Sequence, residues 1–310
     1  MPVTPVDLNN SKLLVTGPTG QVALPVVEHF ARIADVYALA RFRSQEDRDR
    51  IEALGATVIA ADLADAASLD AVPEDIDYVL NFAVVKSGDF EYDLAANAEG
   101  VGNLMLRCKN AKAFVHFSST AVYEYAGHDP RAEDAPLGDN HRVMFPTYSI
   151  SKIAAETVCK FVAHQQGIPT TIARLSVPYG DNGGWMYYHM LMMQGGVPIE
   201  LHPEKPNYYN PLHAQDYIEK IPYLLGAAST EVTTMNFGGS QKVSIEEWCA
   251  YITELTGLEP VFAENPKAFG SLCIDTTRMH ELIGETRVDW RDGVRSMLEK
   301  LAPDVLKSAG

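Results

Sequence analysis

The sequence predicts an α/β chain: a doubly wound parallel sheet with a smaller C-terminal lobe. Three observations predict it. Short apolar runs alternate with helical patterns as far as Gly180. Gly17-Pro18-Thr19-Gly20 follows the first run at once, where a glycine turn can lead straight into a helix. Beyond Gly180 the alternation breaks into turn clusters, an aromatic and methionine run, and scattered helices. Strands separated by helices of this length form parallel sheets covered on both faces.

Taken in order, Lys12–Thr16 (KLLVT) is the first strand and Gln21–Ala31 carries the first helical pattern. Asp35–Ala40 (DVYALA) is the second strand, Gln45–Leu54 a helix, and Thr57–Ala60 (TVIA) the third strand. Asp77–Phe82 and Ala113–Phe117 are the fourth and fifth strands, on either side of a long helical pattern over Asp93–Lys109. A helix carrying Lys152 leads to the sixth strand, Thr170–Arg174. After it come the turn cluster Asp181-Asn182-Gly183-Gly184 and the run Trp185–Met193, which suits a core helix or a pocket wall equally. Val232–Phe237 is a returning strand, Ser244 opens a capped helix to about Thr256, and Asp275–Leu301 holds two more helices. The expected division is a dinucleotide-binding unit over 1–180 and about 212–240, and a substrate lobe over about 181–211 and 241–310.

The balance of 46% hydrophobic and 21% charged residues is that of a globular chain. Its net charge of −16 excludes nucleic acid or an anionic membrane as the main partner, since both require a basic face. The four cysteines are far apart, without zinc spacing, and read as free thiols in a reducing compartment. No metal site is expected. The polar N-terminal stretch and the lack of any apolar run of membrane length give the expectation of a soluble, cytoplasmic protein.

Two stretches carry chemistry. Gly17, Thr19, Gly20, Gln21 and Val22 lie where the first strand opens into a helix, a place suited to a pyrophosphate because backbone N–H groups and the positive helix end face it. Ala23 stands at the third small position. After the second strand, where an acid would hold the ribose of NAD, come Arg41 and Arg43 instead. Guanidinium groups pair with phosphate, so the pattern favours NADP(H), with NAD(H) still admitted. Arg41 directly follows the strand and is the preferred contact; a solvated loop arginine is the alternative. The second stretch is Tyr148-Ser149-Ile150-Ser151-Lys152. Its spacing puts phenol and ammonium on one helix face, where a cation would favour phenolate and tune Tyr148 as acid and base.

Taken together, TGPTGQVA, Asp62-Leu63, Asn81-Phe82-Ala83, Asn97, FSSTAVY, YSISK and RLSVPYG make the chain resemble the extended short-chain dehydrogenase/reductases, the family that includes nucleotide-sugar epimerases and dehydratases. The resemblance implies a Rossmann-type sheet. It implies that Asp62 and Leu63 flank the adenine, and that Phe82, Ala83 and Val84 line the cofactor. Asn97 would support the catalytic helix. Ser119 would polarise the reacting oxygen, with Thr120 as runner-up. Tyr148 would transfer the proton, and Lys152 would bind the nicotinamide ribose. Family members also pair through a four-helix bundle, which implies a homodimer through helices 93–109 and 150–166.

The likeness thins toward the substrate end. Val177 stands where nucleotide-sugar enzymes commonly carry asparagine, and Tyr208-Tyr209-Asn210-Pro211 lacks their arginine. A diphosphate needs cations or many donors, so the expected partner is a small-molecule substrate without a nucleotide. His189, His202 and His213 are candidates for substrate contact or for ordinary core and surface roles. The first functional reading is an NADP(H)-dependent oxidoreductase acting on a ketone, aldehyde or secondary alcohol. Beside it stands an epimerase or dehydratase that holds its cofactor through a cycle without net redox change. A non-catalytic dinucleotide-binding regulator is a third, and the complete Ser119, Tyr148 and Lys152 set speaks against it.

Overall fold

The computed structural model describes residues 2–307; Met1 and 308–310, the outermost parts of the two expected units, lie outside the described residues. Strands β1 (Lys12–Thr16), β2 (Asp35–Ala40), β3 (Thr57–Ala60), β4 (Tyr78–Asn81), β5 (Ala113–Ser119) and β6 (Thr170–Leu175) join Thr233–Phe237 in a seven-stranded sheet. Its order is Thr233–Phe237, β6, β5, β4, β1, β2, β3, and every pairing is parallel. Chain order reverses between β1 and β4, which opens a crevice at their carboxyl ends.

Alternation along the strands builds two cores. Leu13 and Val15 face one layer with Val26 and Ile221, while Leu14 between them faces the other with Val101 and Ala155. Helices α1 (Ala23–Phe30) and α2 (Gln45–Ala53) connect the first three strands. The long expected helix begins early, at α3 (Phe90–Leu94), and passes through a π turn at Ala95–Glu99 into α4 (Gly100–Arg107). Gly100 explains the close seat of this segment: a Cβ there would lie 2.6 Å from the Leu63 carbonyl oxygen. Helix α5 (Tyr148–Gln166) starts at the tyrosine itself and ends on Gly167, whose φ of 67° stops it.

Past β6, α6 (Trp185–Gly195) forms from the aromatic run. Helix α7 (Ala214–Gly226) is an addition to the expected elements, its pattern hidden by Pro222 inside it. Helix α8 (Ile245–Thr256) opens with a complete capping box between Ser244 and Glu247. Helices α9 (Thr277–Ile283) and α10 (Trp290–Leu301) follow, then a single 3-10 turn at Pro303–Val305, and short strands between Pro178 and Glu264 form three small sheets among the described residues. A third core joins α6, α8 and α10 around Trp248, Met186, Tyr209 and Met297, separate from the two sheet layers. No helix among the described residues is long and apolar enough to cross a membrane. All four cysteines are free and buried.

Candidate active site

The crevice between β1 and β4 holds a cleft of about 340 Å³, with Gly17, Thr19, Gly20, Asp62, Leu63 and Ala83 among its walls. Gly17 turns at a φ of 65°, and a Cβ there would stand 3.1 Å from the Ala83 Cα, so only glycine keeps this loop against β4. The cradle fits the pyrophosphate of a dinucleotide. Arg41 and Arg43 line its far end together with Asp47. Arg41 Nη1 donates to the Tyr92 hydroxyl at 2.5 Å, and that hydroxyl donates to Asp62 Oδ2 at 3.3 Å. Both arginines are exposed, and Asp62 also accepts from Ala64 N.

Phe82 and Val84 are shared with a second cavity of about 460 Å³. Gln21 and Val22 line this second cavity, not the pyrophosphate cleft. Gln21 Nε2 donates to the Gly183 carbonyl at 3.1 Å. Ser119, Tyr148 and Lys152 meet on the second cavity's wall. Both serines of FSSTAVY line this cavity. Ser118 Oγ donates to the buried Glu156 at 2.6 Å, so its hydroxyl is committed to a carboxylate and that of Ser119 is not. Ser119 Oγ accepts from Ala121 N at 3.1 Å. Thr120 also lines the wall.

Lys152 departs from expectation. Its ammonium donates to the Phe117 carbonyl at 2.7 Å, and burial lowers it to about 8 against the opposing pull of Glu156. Burial raises the Tyr148 phenol above its ordinary value, and hydrogen bonding with Ser119 pulls it partly back. The expected bias of Tyr148 toward phenolate by Lys152 is therefore not expressed here, because desolvation outweighs a cation that is committed to a backbone carbonyl.

Asn97 sits in the π turn. It accepts from Val85 N and donates to Val85 O, both at 2.7 Å, and reaches Ser151 Oγ at 3.2 Å. It thus ties the loop after β4 to α5. Asp93 fixes the helix start by accepting from Thr147 Oγ1 at 2.5 Å, one residue before Tyr148.

Several cavity residues carry no motif. Lys86 lies with its ammonium 4.8 Å from the Phe145 ring and 5.4 Å from the Tyr148 ring. His141 stacks on Phe269 at 4.2 Å, and burial holds its imidazole down to about 4. The one available signal is the position of Lys86, just past Phe82-Ala83-Val84; Phe269 lies in an irregular segment with no periodicity to read. Of the three candidate histidines, His189 is a core residue whose Nδ1 accepts from Trp248 Nε1 at 2.9 Å. His213 caps α7, and His202 lines an adjoining side cavity of about 220 Å³. Among the described residues, no group of His, Cys, Asp and Glu is arranged to hold a metal ion.

Comparison with known proteins agrees with this architecture. A putative GDP-L-fucose synthase 2 of Oryza sativa subsp. japonica is 24% identical over 206 residues, 62% of this chain and 59% of that protein. An uncharacterized UDP-glucose epimerase, YtcB, of Bacillus subtilis (strain 168) is 21% identical over 216 residues, 66% of each chain. The match thus spans less than two thirds of either relative's length. Among solved structures, a UDP-glucose 4-epimerase of Thermotoga maritima with UDP-glucose superposes with a TM-score of 0.79 at 19% identity, covering 94% of this chain and 99% of that one. A UDP-glucuronic acid 4-epimerase of Bacillus cereus, in complex with UDP-glucuronic acid and NAD, gives 0.78 at 19% identity, with 93% and 98% covered. At such identities the likeness is one of fold. Residues 13–238 match the model of the NAD dependent epimerase/dehydratase family, and by that match over most of its length the chain belongs to this family of NAD(P)-dependent enzymes.

Proposed function

We propose that the protein works as an epimerase or dehydratase of the extended type, oxidising a secondary alcohol of its substrate within a cycle that returns the hydride. The observation that carries this is the meeting of Ser119, Tyr148 and Lys152 on a wall between a dinucleotide-shaped cleft and a second cavity. The nicotinamide, when bound, accepts and returns the hydride. With Lys152 shifted to the ribose, its cation would favour the Tyr148 phenolate, which takes the proton from the alcohol oxygen and gives it back. Ser119 hydrogen-bonds the same oxygen, and Lys152 turns from the Phe117 carbonyl to the nicotinamide ribose. Asn97 keeps α5 in place through Ser151.

Both dinucleotides fit this reading. Some of the structurally similar proteins carry NAD, while Arg41 and Arg43 beside the cleft offer cations to a 2′-phosphate. A net reductase of ketones or aldehydes is the second reading, and that pair of arginines is what favours it. Absorbance at 340 nm separates the two. In the cyclic reading, substrate reduces only protein-bound cofactor and the signal returns to baseline. Stoichiometric consumption of free NADPH by a carbonyl compound would establish the reductase instead. In either case Tyr148→Phe is expected to abolish turnover with cofactor binding retained, and near-wild-type turnover would remove Tyr148 from the chemistry.

A further inference from the structure

Resting on the hydride chemistry just proposed, we infer that the body of the substrate is an uncharged, flat apolar ring system and not a nucleoside diphosphate ester. The wall of the second cavity carries the inference. Among the described residues lining it there is no arginine, aspartate or glutamate, and its two cations, Lys86 and Lys152, both stand at the reacting end beside Tyr148. A diphosphate placed beyond the reacting carbon would meet no guanidinium, and burying its charges unpaired is costly.

What it would meet is a rigid aromatic surface. Trp185 is held edge-on by Tyr209 at 4.9 Å, by Trp248 at 5.8 Å and by Phe269 at 6.1 Å. The Tyr209 hydroxyl is already spent on the carbonyls of Phe269 and Gly270, at 3.2 and 2.7 Å, so the residue presents its ring and no free donor. The mouth is apolar as well: Tyr188 is 61% exposed, Met144 53% and Val84 37%, and all three line the cavity. Solvent-facing apolar side chains gathered at one opening mark a binding site for apolar matter.

Val177 gives an independent sign. It lines the cavity with a φ of 31°, a conformation that β-branched residues rarely adopt. Asparagine or glycine would sit there without that strain, so the chain accepts a conformational cost to present an isopropyl group. The adjoining side cavity adds one cation, the exposed Lys267, and it lies beyond Phe269 and His141 rather than among the wall residues.

The test uses wild-type protein loaded with NAD+ or NADP+, titrated calorimetrically with 1-tetralone and with UDP. An oxidised cofactor with a ketone cannot turn over, so binding is read alone. The ketone is expected to bind at least tenfold more tightly than UDP. Tyr188→Ala, at an exposed position that the fold does not need, should weaken the ketone by about tenfold, the scale of a lost aromatic contact, and leave cofactor affinity unchanged. Val177→Asn should also weaken the ketone while raising the melting temperature. Tighter or equal binding of UDP overturns the inference, as does binding of neither probe or an unchanged ketone affinity in both variants. Reduction of 1-tetralone by NADPH is assayed separately. Reduction there would favour the net reductase over the cyclic reading and its absence would leave the cyclic reading intact, while the apolar wall stands or falls on the binding data alone.

Discussion

At the scale of single residues, the buried Lys152 ties both stability and binding to pH. Burial lowers its ammonium from 10.5 to about 8, so between these values the folded chain holds a neutral amine where the unfolded chain holds a cation. The unfolded state then binds more protons, and stability rises with pH across that window. In the proposed reading cofactor binding runs the other way, since the charge that strengthens the bond from Lys152 to the ribose is lost above pH 8. Measured as wild type minus Lys152→Met, melting temperature should rise and cofactor affinity fall between pH 8 and 9.5; parallel profiles in both proteins would refute the assignment. Arg41 supplies a second test. A desolvated arginine–phosphate bond contributes roughly 1.5–3 kcal/mol, but Arg41 is exposed and shared with Tyr92. About 1 kcal/mol is the better figure for an exposed pair, so Arg41→Ala should cost NADPH about fivefold and NADH little. Equal losses in fluorescence titrations would return Arg41 to the solvated loop. Tyr148, Lys152 and Ser119 could be named from the chain because their motifs survive in it, and the structure brings the three, with Thr120, to one cavity wall. Lys86, His141 and Phe269 could not, because tertiary packing alone brings them to the cavity.

At the scale of elements, the strands of the seven-stranded sheet were legible to within a residue or two because each is an apolar run closed by turn residues, while the two- and three-residue strands beyond β6, such as Ile199–Leu201 and Phe262–Glu264, are too short to show a pattern. The π turn at Ala95–Glu99 was not, since one extra residue in a helical turn leaves the hydrophobic pattern nearly intact. Nor was the tie between α5 and β6, where Arg174 and Glu156 form an ion pair at 2.8 Å with both side chains almost wholly buried. Arg174 also donates to the Tyr123 hydroxyl at 3.0 Å and the Glu133 carbonyl at 2.9 Å. The Tyr123 hydroxyl in turn donates to Asn236 at 2.5 Å, so one polar network joins α5, the sheet and the segment after β5. Removing one partner of a buried pair leaves the other charge uncompensated, at a cost of about 3–5 kcal/mol. Arg174→Met should therefore lose that much in urea unfolding, and Glu156→Gln with Arg174→Met should lose less than Arg174→Met alone. A loss under 1 kcal/mol for Arg174→Met would show that water reaches the pair.

At the scale of the whole molecule, the parallel sheet was legible from the alternation of strands and helices, while the third core was not, because residues from Val122 to Leu306 meet in it without a shared period. Helices α4 and α5 approach closely at Gly102, where a Cβ would lie 2.8 Å from Val158 Cγ1. On either side of this crossing, Leu106 is 47% exposed and Phe161 64% exposed. Large apolar side chains on adjacent helices form a patch that a second copy can cover symmetrically, each subunit presenting α4 and α5 to its partner. Sedimentation at micromolar concentration should give a dimer, and Phe161→Glu should shift it to monomer without unfolding, because Phe161 lies outside the three cores. Tyr148 and Lys152 lie at the opposite end of α5, so the monomer should keep its cofactor affinity. A wild-type monomer, or a dimer indifferent to Phe161→Glu, would move the contact elsewhere on the surface.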